Sequence, residues 1–204
     1  AEGLLEGIRK TGFHVIPFEK AENHFRARVN FLHKAMPEAG FPDFSDDALM
    51  NTMEDWLMPE IQGKTRLEQL KKINFLQVLE NQMDYRMRQL MDKEAPERLK
   101  VPSGSMIRID YDTPDGIPLL PVRLQEIFGM NDTPFLAGGR VPLAIQILSP
   151  AMRPVQTTRD LRGFWTGSYE LVRKDMRGRY PKHNWPEDPL NAVAARGPGK
   201  PRPQ

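Results

Sequence analysis

The chain of 204 residues contains no cysteine. That excludes a disulfide framework, a thiolate metal site and a thiol nucleophile. Long apolar runs are missing too. None approaches the roughly eighteen residues needed to span a bilayer, and no basic stretch followed by an apolar one marks a secretory leader. The expected compartment is the cytoplasm, with no membrane partner. Histidine is scarce: His14, His24, His33 and His183 include no pair three or four residues apart, the spacing that puts two metal ligands on one helix face. No metal site is expected.

An excess of one charge is also nearly absent, with 29 Lys and Arg against 27 Asp and Glu. The near-balance hides an asymmetry. Residues 1–100 carry 15 basic and 17 acidic side chains, whereas residues 140–182 carry 9 basic and 3 acidic. Basic charge gathered in one segment points to a polyanion better than the whole-chain value does. The length suits one fair-sized domain or two small ones. Starting at Ala1 inside the helical-looking "EGLLEGIRK", the chain reads as a piece of a longer protein.

The first hundred residues read as helical. Phe25, Val29, Leu32 and Met36 recur at the spacing of one buried helix face. Ser45 followed by Asp46 and Asp47 makes a helix start, with Leu49, Met53, Trp56 and Leu57 as the stripe behind it, ended by Pro59. Thr65 and Glu68 are spaced as a capping box. A further stripe runs through Phe75, Leu79, Met83, Met87, Leu90 and Met91. Such methionine-rich stripes are core rather than cofactor sites.

After Lys100 the pattern changes. "SMIRIDY" alternates Ile107, Ile109 and Tyr111 against Met106, Arg108 and Asp110, as a half-buried strand does. "IPLLPVRL" reads as a proline-marked edge strand, "LQEIFG" as a helical turn stopped by Gly129, and "VPLAIQIL" as a continuous apolar strand. "VQTT" follows a turn, and a closing helix is expected from Thr157 or Thr158 to Gly178. The expected fold is α+β: a mainly helical half, residues 1–100, packed on a small, mostly antiparallel β-sheet with a closing helix and proline-rich strap, residues 101–190. Residues 191–204 have too little apolar surface to offset their ordering entropy and are expected to be disordered.

Few motifs carry chemistry. "QGKT", residues 62–65, lacks the first glycine of a phosphate loop, since Met58 stands there, and reads as a helix end followed by a cap. Ser103 and Ser105 have no base marked beside them, and no apolar-flanked carboxylate pair suggests a raised pKa. "LAGGR" offers turn N–H groups with Arg140 alongside, yet a double glycine before a strand reads more simply as a turn.

The closing helix says more. Arg162, Tyr169, Arg173 and Arg177 fall along one side at offsets of seven, eleven and fifteen, either a solvated face paired with Asp160, Glu170 or Asp175 or a stripe that tracks phosphates. It leads into "RGRYPKHNWPEDP", where Pro181, Pro186 and Pro189 hold the chain extended. An extended segment must lie against something or be solvated. Tyr180 and Trp185 either dock such a strap onto its own domain or stack bases, with Arg179 and Lys182 on phosphates. The candidate nucleic-acid-binding residues are Arg140, Arg159, Arg162, Tyr169, Arg173, Arg177, Arg179, Tyr180, Lys182 and Trp185.

With these residues in view, the chain resembles the C-terminal region of the bacterial HrpB helicases of the DEAH/RHA group. The resemblance rests on "VPSGSMIRIDY", "PVRLQEIFGM", "TPFLAGGRVPLAIQILSPAMRPVQTTRDL" and "FWTGSYELVRKDMRGRYPKHNWPEDP", and more weakly on "LLEGIRKTGF", "RARVNFL" and "FPDFSDDALMNTMEDWL". The family has proline where Asn184 stands, and "ENQMDYRMRQL" matches it poorly. The resemblance implies a parent enzyme that hydrolyses ATP and remodels RNA or DNA–RNA structure. ATP and Mg²⁺ would then bind upstream helicase cores, leaving no cofactor or catalytic residue in this chain. The expected role is an accessory domain with sequence-independent nucleic-acid contact, partnered by those cores and RNA. The alternative is a structural or protein-docking module that stabilises the core.

Overall fold

The computed structural model describes residues 1–198. The fold is α+β, and the chain divides into two units at the Ala95–Pro96 junction.

The first unit is built of helices: α1 (Glu2–Thr11), α2 (Lys20–Ala35), α3 (Asp46–Asn51), α4 (Met53–Trp56), α5 (Phe75–Glu80) and α6 (Tyr85–Glu94), joined by 3-10 turns. Phe25, Val29 and Leu32 of α2 lie inside, as their spacing predicts. Ser45 caps α3 by accepting from the Ala48 N–H. Three expectations need correction. The stripe from Leu49 to Leu57 is one buried face, but the helix breaks at Thr52, whose N–H and hydroxyl both donate to the Ala48 carbonyl while the Leu49 carbonyl accepts the Trp56 indole N–H at 2.8 Å. The stripe from Phe75 to Met91 is likewise split, because Asp84 accepts the Met87 N–H at 2.7 Å and starts a new helix. At Thr65 the cap is made by Gln69, whose Oε1 accepts both the Thr65 and Arg66 N–H groups, and Glu68 takes no part.

One arginine is drawn into this unit. Arg28 is only 6% exposed; its Nε donates to the Ala95 carbonyl at 2.8 Å and its guanidinium pairs with Asp92 at 3.0 Å. Ala95 follows α6 directly, so the guanidinium satisfies a carbonyl at the helix end and meets the negative end of the dipole.

The second unit carries β1 (Arg98–Lys100), β2 (Met106–Arg108), β3 (Leu119–Arg123), β4 (Phe135–Leu136), β5 (Val141–Pro142), β6 (Ala144–Leu148) and β7 (Pro154–Thr158), then α7 (Leu161–Thr166) and α8 (Tyr169–Arg179). Among the described residues the strands form three small sheets rather than one: β1–β2, β3–β6–β7 and β4–β5. Most pairs are antiparallel, but β3 and β6 run parallel, Leu120 opposite Ile145 and Val122 opposite Ile147. The central strand β6 is the apolar run read from sequence, and Pro121 lies on an edge, as a residue without an N–H must. "VPLAIQIL" is not continuous: Leu143 breaks it by donating to the Pro134 carbonyl at 2.9 Å, leaving β5 to close a separate hairpin.

The closing helix is also two helices. β7 uses Thr157 and Thr158, so α7 starts at Leu161, where Asp160 accepts the Gly163 N–H at 3.0 Å. Gly167 then breaks it at φ −111°, ψ −97°. A Cβ there would sit 2.8 Å from the Gly163 carbonyl oxygen, so no other residue fits the turn without movement. Gly178 lies inside α8, which continues to Arg179. The stop comes from Pro181, which pushes Tyr180 out of helical geometry to φ −132°.

Candidate nucleic-acid interface

The break at Gly167 separates Arg162 from the rest of the stripe. Tyr169 is 2% exposed, Arg173 7% and Trp185 6%, so three of the ten candidates are interior.

The strap lies on α8 and contributes to the burial of all three. Residues 181–189 make no ladder of their own, so their backbone groups turn to side chains and neighbouring turns. The Tyr169 hydroxyl donates to the Pro186 carbonyl at 2.6 Å, and Arg173 Nε donates to the Trp185 carbonyl at 2.9 Å. Arg173 also meets Glu170 at 3.3 Å and Glu187 at 3.6 Å. Trp185 Nε1 donates to the Tyr180 carbonyl at 2.9 Å, and the Gly129 N–H to the Pro189 carbonyl at 2.9 Å. Tyr169 packs edge-on against Phe128, Phe164 and Trp165, and burial pushes its phenol well above the ordinary value. Tyr180 is half-buried with its hydroxyl 3.3 Å from Ser149 Oγ. The rings of the strap are therefore plugs that hold it down.

His183 lies between Tyr180 and Trp185, with ring centroids 6.3 and 6.1 Å away. Its Nδ1 is buried without a hydrogen-bond partner. Desolvation lowers its pKa, helped by the positive charge of Arg123.

The other candidates stay outside. Arg140, Arg159, Arg162, Arg177, Arg179 and Lys182 are exposed. Arg162 pairs with Asp132 at 2.6 Å, and Arg179 with Asp175 at 3.2 Å while resting 5.6 Å from the Tyr180 ring centre. Arg177 and Lys182 have no carboxylate partner among the described residues. The continuous ridge thus contracts to a short cationic end, Arg177 to Lys182, where α8 passes into the strap.

A polar cluster elsewhere in this unit was not singled out from sequence. Glu126 is 3% exposed; its Oε1 accepts the hydroxyls of Ser103, at 3.0 Å, and Ser105, and its Oε2 accepts Arg123 Nε at 3.1 Å. The acid that binds the two serines is more than twenty residues away in the chain. The available signal was "RLQE", an arginine and a glutamate three apart.

The family is decided by direct matches. The HrpB family model for the ATP-dependent helicase C-terminal region matches residues 56–189. The chain belongs to that family. Over 195 residues it is 43% identical to the ATP-dependent RNA helicase HrpB of Escherichia coli K12, a match covering 96% of this chain and 24% of the relative. A crystal structure of the E. coli DExH-box NTPase HrpB superposes with a TM-score of 0.87 at 43% identity, covering 94% of this chain and 24% of that one. Another, of the E. coli DEAH/RHA helicase HrpB, gives 0.73 at 41% identity, covering 89% and 23%. The chain spans about a quarter of the length of these relatives.

The "QGKT" segment does not fit the phosphates of ATP. Residues 58–61 form a 3-10 turn holding Pro59, Gly63 sits at φ 74°, and Lys64 Nζ is spent on the Glu60 carbonyl at 2.6 Å. The converging N–H groups of a phosphate loop are not built there. Among the described residues no His, Asp or Glu cluster suits a metal, and no helix is long and apolar enough to cross a membrane.

Proposed function

We propose that this chain is the accessory C-terminal domain of an ATP-dependent RNA helicase, adding sequence-independent RNA contact and no catalysis of its own. In this reading ATP and Mg²⁺ serve helicase cores outside these residues. Those cores and RNA are the partners, and the cytoplasm is the compartment. The supporting observation is the cationic end: Arg177, Arg179 and Lys182 stand in water, with Asp175 against Arg179. Exposed guanidinium and ammonium groups bind phosphates without reading bases.

Fluorescence anisotropy with single-stranded oligo(U) across a salt series tests the reading. About three neutralised phosphates give a log–log slope near −2. Replacing Arg177, Arg179 and Lys182 together by alanine should flatten that slope and leave the melting temperature unchanged. Salt-independent binding, or none at low salt by folded protein, overturns the proposal.

A structural or docking role has its own support in the inward-turned Tyr169, Arg173 and Trp185, which consume in stability what a binding ridge would offer. If that role is the whole function, the triple variant changes neither RNA binding nor stability, while Arg173→Ala lowers stability alone.

A further inference from the structure

Beside the Glu126 cluster a cavity of about 350 Å³ opens, within the size range of small-molecule sites. Part of its lining is apolar, with Met106, Pro121, Val122 and Met152 among it. Met106 is 52% exposed and Met152 59%, so two large, flexible apolar side chains of this lining stand in water. Met152 is moreover held at φ 63°, a left-handed conformation that costs free energy in any residue but glycine. Leaving an exposed methionine there makes sense if its side chain has a ligand to cover.

The rest of the lining includes polar and cationic groups: Arg123, Arg196 and Ser105 with Glu126. The carboxylate accepts from two serine hydroxyls and Arg123 Nε. It is already committed as a brace that fixes the guanidinium and the Ser103–Ser105 turn. Arg196 lies over that turn, its Nη2 3.8 Å from where a Cβ on Gly104 would stand. Among the described residues neither Arg196 nor the terminal nitrogens of Arg123 have a carboxylate partner. Two cations against one acid leave the lining net positive beside its apolar side chains.

We propose that this cavity binds a single nucleotide unit, its phosphate on Arg123 and Arg196 and its base against Met152 and Met106. Sulfur and flat aromatic rings make favourable contacts, guanidinium groups pair with phosphate, and the volume admits one nucleotide but no duplex. The choice of a nucleotide among anions with an apolar body rests on the RNA-binding role proposed above. The unit is either a free nucleotide or one splayed from a single strand, and the two are separable.

Isothermal titration of the whole chain with uridine monophosphate, and with an eight-residue oligo(U), tests the site. Two variants address it: Arg196→Ala, at an exposed side chain, and Met152→Gly, which relaxes the backbone while removing part of the apolar lining and so should not lower the melting temperature. Saturable binding of the mononucleotide, weakened about tenfold or more by Arg196→Ala as the loss of one charge-assisted bond implies, and weakened also by Met152→Gly, supports the proposal. If oligo(U) loses affinity in both variants too, the occupant is a strand nucleotide. If only the mononucleotide binds, the cavity is a free-nucleotide site and the RNA-binding role falls. Oligo(U) binding that depends on Arg177 and Lys182 but ignores both variants, with no mononucleotide bound, overturns the cavity proposal and leaves the RNA-binding role standing. No binding of either probe overturns both.

Discussion

Among the described residues each unit buries one arginine, and the two differ in what the guanidinium holds. Arg28 closes the end of a helix that already satisfies most of its own backbone, through one carbonyl and one largely exposed acid. Arg173 holds an extended strap without a hydrogen-bond ladder, through the Trp185 carbonyl and Glu187, while Glu170 of its own helix lies beside it. The first trims an element that stands by itself; the second is part of the reason its partner segment has a fixed place at all. A buried cation matters most where the backbone beside it has least internal bonding.

Four measurements break or sharpen that contrast. The largest effect belongs to Trp185→Ala. Removing this buried ring and its bond to the Tyr180 carbonyl should cost about 3–5 kcal/mol in denaturant unfolding, with amide exchange of residues 180–190 rising to the unprotected rate. Arg173→Ala comes next, at about 2–3 kcal/mol for its charge-assisted bonds. Arg28→Ala should cost less, about 1.5–2 kcal/mol on the same scale. Equal losses, or a larger one at Arg28, would erase the distinction between the two arginines. Tyr169→Phe keeps the ring and removes only the bond to the Pro186 carbonyl, so about 1 kcal/mol is expected, with exchange rising at the strap and not in the first unit.

The smallest effect is a pH dependence. His183 has a folded pKa below its ordinary value of 6.5, so the unfolded chain binds the proton more tightly. Its neutral form is compatible with the strap above about pH 6.5, and stability falls as pH drops through that value towards the folded pKa. Melting temperatures between pH 7.5 and 5 should show a modest decline that His183→Phe flattens. A variant that keeps the full decline would assign it to other groups.

Much of this was legible from residue order. Periodicity found the buried faces of Phe25–Leu32 and Leu49–Leu57, Ser45 was readable as a cap, and Pro121 marked an edge. The breaks inside stripes were harder. Thr52, Asp84 and Gly167 interrupt helices through local hydrogen bonds and close backbone approach, while the apolar spacing continues across them undisturbed. Helical offsets therefore placed Arg162, Tyr169, Arg173 and Arg177 on one ridge, from which the turn at Gly167 separates Arg162 and the docked strap takes Tyr169 and Arg173. The Glu126 cluster was illegible for another reason: its serines and its acid meet across a chain separation that spacing rules do not reach.

By itself the order of residues determined the class of fold, the family, the segments that must be buried and the concentration of positive charge after residue 140. Those properties follow from local preference and from counting, which need no partner in space. Only the tertiary structure decided which cations stay in water, because a guanidinium binds carbonyls and carboxylates as readily as phosphates. The extended strap, needing partners for its backbone, claimed Arg173 and Tyr169 first and left Arg177 and Lys182 to the solvent.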